Sequence, residues 1–356
     1  MKIGVFTKGL WYQRREIERI SGYSVVFCKG HNDITSDFVA IAGWGYKESA
    51  DFARKVSKDT LCPYWALEDG FIRAITPGVA EPSSSMIIDR QGIYYDARSQ
   101  SELQTLFDEC IELEGAKIKI AAEARCLLRK LEISKYNNFI PGRLPSSLKG
   151  FCDSKSILLI DQTMGDFSIR GAIASSKEFE KMVSSALMRD DVDNIIIKTH
   201  PDVVAGLKKG MLKHPIDDPR VTCLSENVSP WILLECVCEV HTVSSQLGFE
   251  ALVAGKEVHC WGMPFYAGRG LTVDHSNNTV KRCKNACVEQ LVYAIYFRYC
   301  SYFDHWSRMP IDFFKAVEQL AYLRSMYNKK PFKIPSFLPR ELKTLYYGKI
   351  LKPERS

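Results

Sequence analysis

A chain of 356 residues with 46% hydrophobic and 25% charged residues has the composition of a soluble globular protein, and its length suits two domains better than one core. A formal net charge of +6, without a concentrated patch, does not argue for nucleic acid; it suits anionic small molecules or an anionic membrane surface. The longest apolar runs, such as Ile157-Leu-Leu-Ile160, fall far short of the roughly 18–20 residues that span a membrane. The N-terminus enters a strand-like run at once and lacks the apolar core and cleavage site of a secretory signal, so a cytoplasmic location is expected. The 12 cysteines are then expected to be reduced thiols. Cys236, Cys238, Cys283 and Cys287, even with His259 and Cys260, lack the spacing of a structural zinc module.

In chain order, residues 2–7 read as a strand and 11–20 as a helix with Arg14, Arg15, Glu16 and Glu18 on its polar side. Short apolar strands follow at 23–28 and 38–42, then a helix at 48–57 and a strand at 63–67. A Pro/Gly-rich loop at 76–82 leads to a short strand pair, 86–89 and 92–95. Segments 101–113 and 118–132 have the apolar spacing of long helices. Residues 137–150, rich in Asn, Pro, Gly and Ser and without period, read as an interdomain linker. A second alternating set begins there, with strands at 156–160, 194–198, 221–224, 238–243 and 257–261. Its helices are expected at 177–188, 229–236, 245–254, 285 to about 302, and 313–327. Repeated strand–helix units imply an α/β protein of two Rossmann-like domains, 1–150 and 151–327, facing a central cleft. The remainder, 328–356, mixes Lys and Arg with Leu, Ile, Phe and Tyr, as a solvated tail or an interfacial anchor would.

Several strand ends carry chemistry. Ile157-Leu-Leu-Ile-Asp161-Gln-Thr-Met-Gly-Asp166-Phe-Ser168 stops a β-branched run at two acids, which serve either as nucleophile or base, or as turn and helix caps. Ile195-Ile-Ile-Lys198-Thr-His200-Pro-Asp202 would project Lys198 and His200 toward a phosphate or carboxylate. In His241-Thr-Val-Ser244-Ser245-Gln-Leu-Gly-Phe-Glu250, a serine caps a helix whose first N–H groups form an anion site, and Glu250 stands within reach of a ribose. Leu67-Glu68-Asp69-Gly70 is either an Asp-Gly turn or a pair of acids beside a sugar hydroxyl. Trp261-Gly-Met-Pro-Phe-Tyr-Ala-Gly268-Arg269-Gly270 is a loop able to close over a ligand, with Arg269 available to an anion. The phosphate-loop, dinucleotide, zincin and Gly-x-Ser-x-Gly signatures are all missing.

Read as an ordered set, these segments join Gly92-Ile-Tyr-Tyr-Asp96, Ser134-Lys-Tyr-Asn137, Glu226-Asn-Val-Ser-Pro230 and Pro264-Phe-Tyr-Ala-Gly268. With them the chain resembles the capsule polysaccharide β-Kdo transferases of the KpsC type, up to about Tyr327. The resemblance implies a GT-B glycosyltransferase fold and CMP-β-Kdo as donor, Kdo being an eight-carbon acidic sugar. It implies a lipid-linked or Kdo-containing glycan acceptor, contact with the cytoplasmic face of an inner membrane and with capsule assembly proteins, and no metal cofactor. It further implies retention of anomeric configuration through a carboxylate nucleophile. On that pattern Asp166 is the nucleophile, with Asp161 as its backup or as an orienting group. Lys198 and His200 neutralise phosphate or Kdo carboxylate, Ser244 and Ser245 hold phosphate, and Glu250 takes the ribose. The turn of Glu226, Asn227 and Ser229 reads cytosine, and Glu68 or Asp69 is the general base. Relatives of this type usually join two such modules, whereas this sequence carries one. Two other readings share the motifs: a GT-B enzyme using another CMP-sugar such as CMP-sialic acid, and a non-catalytic capsule assembly protein.

Overall fold

The computed structural model describes residues 1–329 except 79–80, 205, 213–214, 279, 281 and 283–284. The basic and aromatic tail lies, from residue 330 on, outside the described residues. The first domain opens with β1 (Lys2–Val5), α1 (Lys8–Trp11), α2 (Arg14–Ser21), β2 (Ser24–Phe27), β3 (Phe38–Trp44), α3 (Asp51–Thr60) and β4 (Tyr64–Asp69). These four strands are parallel. Ile3, Val5, Ala40, Ala42 and Leu67 are buried against one another and against Leu10 and Ile17 from the helices. Continuous apolar strands of this kind are what a sheet covered on both faces requires.

β5 (Ser85–Asp89) runs antiparallel to β4, and α4 (Glu102–Glu109) and α5 (Ala116–Lys130) follow. The expected second arm of a hairpin at 92–95 does not form. Asp89 Oδ1 instead accepts the N–H groups of Gln91 (3.0 Å), Gly92 (2.7 Å) and Glu102 (3.0 Å), turning the chain out of the sheet. That leaves the edge of β5 open for a later strand.

The second domain contains β6 (Ser156–Ile160), α6 (Phe167–Gly171), α7 (Ser176–Leu187), β7 (Asn194–Lys198), α8 (Pro201–Val204), β8 (Val221–Leu224), α9 (Pro230–Glu235), β9 (Glu239–Thr242), α10 (Gln246–Val253), β10 (Glu257–Cys260) and β11 (Val273–Asp274). All six strands are parallel, in the order β11-β10-β9-β6-β7-β8. The helix expected from 285 to about 302 is shorter than that. α11 (Val288–Tyr293) passes into a π-helical turn at Ala294–Tyr299 and then into β12 (Cys300–Phe303). β12 pairs antiparallel with β5, Cys300 opposite Ile87, and Tyr299 donates its hydroxyl to Asp89 Oδ2 at 2.6 Å. β13 (Pro310–Ile311) completes a seven-stranded first sheet, β13-β12-β5-β4-β3-β1-β2, and α12 (Phe313–Lys329) packs on α5. The chain therefore begins and, as far as it is described, ends on the first domain.

One apolar cluster runs through both domains, from Ile75 and Ile87 to Leu158, Ile196 and Phe249. Phe71 sits at the junction, its ring 5.6 Å from Phe249 and 5.3 Å from Phe265. A fully buried aromatic side chain of this kind contributes roughly 1.5–3 kcal/mol. Polar ties cross the same junction: Gln246 Nε2 donates to Phe71 O (2.8 Å), Ala97 N–H donates to Gly171 O (2.8 Å), and Arg125 pairs with Glu289. The expectation of reduced cysteines is corrected at one pair, since Cys152, beside the linker, is bonded to Cys236 at the end of α9.

Candidate active site

In the second sheet the strand order reverses between β6 and β9. Ligands of open α/β sheets bind past the carboxyl ends of the strands at such a point. A cavity of about 340 Å³ lies there. Asp166, His200, Ser244 and Ser245 line it from the second domain, and Lys47, Glu68, Tyr94 and Tyr95 face them from the first. A second cavity of about 400 Å³ is lined by Lys198, Glu226, Asn227, Glu250 and Asp161. His200, Ser245, Lys135 and Tyr136 line both.

The loop after β6 is built to present Asp166. Gly165 takes a left-handed φ of 82°, a conformation that costs other residues energy, and this swings the chain into α6. Asp166 then caps α6, its Oδ1 accepting the Ser168 N–H at 2.9 Å. Gln162 Nε2 stands 3.4 Å from Asp166 Oδ2 and donates to Ser244 Oγ at 3.0 Å, while its Oε1 accepts the Ser244 N–H at 3.0 Å. This one side chain binds the β6 and β9 loops together. Capping and presentation coexist here, because a carboxylate has lone pairs beyond those used in the cap.

The cationic and helix-terminal groups lie beside it. His200 Nδ1 accepts the Asp202 N–H at 3.1 Å, so the neutral ring carries its proton on Nε2. Burial lowers the His200 pKa, against the pull of Asp202, and keeps the ring a neutral donor near pH 7. Lys198 Nζ donates to Glu226 O at 2.9 Å, and burial pushes its pKa down to about 8, with Glu226 opposing. Ser245 caps α10 by accepting the Leu247 N–H at 3.2 Å. Glu250, one turn on, is 5% exposed. It accepts from Ser134 Oγ at 2.7 Å and from the Lys135 N–H at 3.4 Å, and burial raises its pKa to about 7. Asn227 Nδ2 donates to Asn138 O (2.8 Å) and Ser147 Oγ to Glu226 Oε1 (2.7 Å), so linker residues help shape this wall.

Across the cleft the two acids of the first domain separate. Glu68 faces Asp166's cavity; burial raises its pKa, while Lys47 Nζ at 3.5 Å works against the rise. Asp69 is instead paired with Arg73 Nε at 2.6 Å. Both line a third cavity, of about 510 Å³, with Thr7, Trp44 and Tyr136. This cavity sits past β1 and β3, where the first sheet's order reverses.

Two of the expected site residues are placed elsewhere, and a third, Asp161, lines the second cavity but is tied up as a structural anchor. Arg269 is 2% exposed, lies 4.0 Å from the Phe107 ring and pairs with Asp108 at 3.2 Å, so it braces the two domains and lines none of the three cavities. Ser229 is fully buried behind the wall that Val228 and Pro230 line. Asp161 Oδ1 accepts the N–H groups of Gln162 (2.9 Å), Met211 (3.0 Å) and Leu212 (3.0 Å), which makes it the anchor of the 210–212 segment.

A family model described as capsule polysaccharide biosynthesis protein matches residues 39–141 and 148–302. The chain belongs to this family. Among curated relatives it is 33% identical over 297 residues to the capsule polysaccharide modification protein LipA of Neisseria meningitidis serogroup A, a match covering 82% of this chain and 42% of the relative. It is 33% identical over 271 residues to the lipopolysaccharide-processing protein LpsZ of Rhizobium meliloti, covering 73% and 60%. The chain thus spans about two fifths of the first relative's length and three fifths of the second's. Among solved structures, the β-Kdo 2,4 transferase of Thermosulfurimonas dismutans KpsC superposes with a TM-score of 0.78 at 35% identity, covering 90% of this chain and 98% of that one. The β-Kdo 2,7 transferase of the same protein gives 0.69 at 25% identity, covering 91% and 100%. The expected resemblance to the KpsC type and its GT-B arrangement of two facing Rossmann-like domains are borne out.

Sequence reasoning gave no individual site role to Lys47, Lys135, Tyr136 or Gln162. Lys135 and Tyr136 belong to a Ser-Lys-Tyr-Asn segment whose polar, aromatic character just before a linker is a legible signal. Lys47 has none, because only the folding of the turn after β3 brings its side chain to Glu68.

Proposed function

We propose that the protein is a retaining β-Kdo transferase that moves Kdo from CMP-β-Kdo to a lipid-linked or Kdo-containing glycan of a surface polysaccharide. The observation that carries this reading is one cavity holding Asp166 beside His200 and the start of α10, with Glu68 facing it from the other domain. The cytidine fits the adjoining cavity, its ribose hydroxyls donating to Glu250 and its base meeting the turn at Glu226 and Asn227. Lys198, His200 Nε2 and the positive end of the α10 dipole carry the phosphate charge, a task that asks for no added metal.

In the first step Asp166 attacks the anomeric carbon. The carbon–oxygen bond to the phosphate breaks, its electron pair leaves with CMP, and an ester to Asp166 remains. In the second step the acceptor hydroxyl oxygen attacks the same carbon from the opposite face. The carboxylate of Asp166 leaves, and the hydroxyl proton passes to Glu68. Two inversions retain configuration. Burial raises the pKa of Glu68 toward the working pH, as a general base requires. The acceptor enters along the cavity lined by Trp44, Lys47 and Tyr136. Incubation with CMP-β-Kdo and acceptor, followed by analysis of the linkage formed, tests the reading. Turnover with CMP-sialic acid and none with CMP-Kdo would replace the donor assignment.

A further inference from the structure

The sequence contains Glu-Val-His twice, at Glu239-Val240-His241 and Glu257-Val258-His259. The two copies fall on neighbouring parallel strands, β9 and β10, in register: Glu239 lies opposite Glu257 and His241 opposite His259. Side chains alternate along a strand, so Val240 and Val258 enter the core while the four polar residues share the other face. Like charges directly opposite one another destabilise a sheet, so a square with two carboxylates facing each other calls for a cation. Arg189 meets part of that demand by donating to both Glu239 oxygens, at 2.7 and 3.1 Å.

The remaining geometry fits a metal ion. Glu239, His241 and His259 each offer a ligand atom, all within 4.8 Å of one another. Glu239 Oε2 is 3.4 Å from His241 Nε2 and 3.7 Å from His259 Nε2, and Glu257 Oε1 is 2.9 Å from His259 Nε2. Zinc binds imidazole nitrogen at about 2.0–2.1 Å and carboxylate oxygen at about 2.0–2.2 Å, so tetrahedral ligand atoms stand about 3.3–3.5 Å apart. The observed separations straddle that spacing.

A second layer holds the ligands. His275 Nε2 lies 2.9 Å from His259 Nδ1, placed to accept its proton while Nε2 faces the ion and so to fix the ring's tautomer and orientation, the task that an outer acceptor performs for a metal-bound histidine. His275 in turn stacks on Trp261 at 4.1 Å, and His241 stacks on His259 at 4.3 Å. Trp261 Nε1 approaches His241 Nδ1 at 3.4 Å, a long contact; binding through Nε2 moves the His241 proton to Nδ1 and gives this contact up. Glu239 Oε2 can accept from Arg189 and still bind a cation, since each carboxylate oxygen has two lone pairs.

We propose that Glu239, His241 and His259, completed by Glu257, form a binding site for a divalent transition-metal ion of the zinc class. The site is independent of the transferase reading. It spans β9 and β10, just inside the edge strand β11 of the second sheet, and its ligands line none of the cavities of the cleft. An ion there ties β9 and β10 together behind the loop that carries Ser244 and Ser245.

The experiment is a zinc titration of the full chain, freed of metal by chelation, with bound zinc counted by native mass spectrometry. Wild type should take up a single zinc ion, and its thermal midpoint should rise with zinc. His259→Gln and Glu239→Gln should abolish the uptake, and His275→Ala should weaken it roughly ten- to hundred-fold. Circular dichroism in chelator checks that each variant folds, and the wild-type titration needs no variant at all. No zinc uptake by wild type, or uptake undiminished in both His259→Gln and Glu239→Gln, would overturn the proposal. Neither result bears on whether CMP-Kdo is the donor.

Discussion

Glu250 is the group whose environment makes the sharpest quantitative demand. Burial lifts its pKa from the ordinary 4.5 to about 7, against the opposing bonds from Ser134, Lys135 and Gln246. At 1.36 kcal/mol per pH unit, that rise corresponds to roughly 3 kcal/mol. The sign follows from which state holds the proton. Between about pH 4.5 and 7 the folded protein keeps Glu250 protonated while the unfolded chain releases the proton, so stability falls as pH rises through this window. Glu250→Gln removes the titration and keeps an acceptor for Ser134 Oγ. Urea unfolding of both proteins from about pH 5 to 8 should show little difference at the acid end. At the alkaline end the variant should be more stable by an amount approaching 3 kcal/mol. Other titrating groups are common to both proteins and cancel in the difference. Parallel stability curves across the whole range would refute the reasoning. A ribose hydroxyl donating to Glu250 favours the carboxylate, so CMP should bind wild type more tightly as pH rises through about 7, and this slope should vanish in the variant.

Lys198 titrates in the opposite sense. Its ammonium is present below about pH 8 and lost above, so the KM for donor should climb above pH 8 in wild type, while Lys198→Arg should hold it flat to higher pH. Asp161→Asn leaves an oxygen for the N–H groups of Met211 and Leu212, so it should keep measurable turnover where Asp166→Asn keeps none; equal loss in both would return Asp161 to candidacy as nucleophile. Gly171→Ala would place a Cβ 2.1 Å from the Tyr95 carbonyl oxygen at the domain junction. Forcing that contact apart should cost about 1–3 kcal/mol in unfolding free energy. Turnover should be unaffected by omitting added magnesium or manganese, measured on protein whose zinc content is known.

Much of the second domain was legible because each strand there is a short β-branched or apolar run ending abruptly at polar residues. Ile157–Ile160 and Ile195–Ile197 could be little else, and the residues just beyond them are those that line the cleft. The return of the chain to the first domain was not legible. Residues 285–302 have helical spacing throughout, and only the open edge of β5, created by Asp89, makes residues 300–303 a strand. Arg269 was misplaced for a related reason: a Gly-flanked arginine near a cleft reads like an anion clamp, yet Phe107 and Asp108, more than 150 positions earlier, take its guanidinium. The paired Glu-Val-His segments were in plain view, but their meaning depended on strand register, which spacing alone does not give.

The central claim is that Asp166 becomes esterified to the sugar. Intact-mass analysis of wild type incubated with CMP-β-Kdo and no acceptor tests it most directly. A gain of one Kdo residue, mapped to the peptide containing Asp166, absent from Asp166→Asn and discharged when acceptor is added, is the expected result. Demonstrated turnover by wild type with no mass gain at any time, or an adduct that persists in Asp166→Asn, would contradict it.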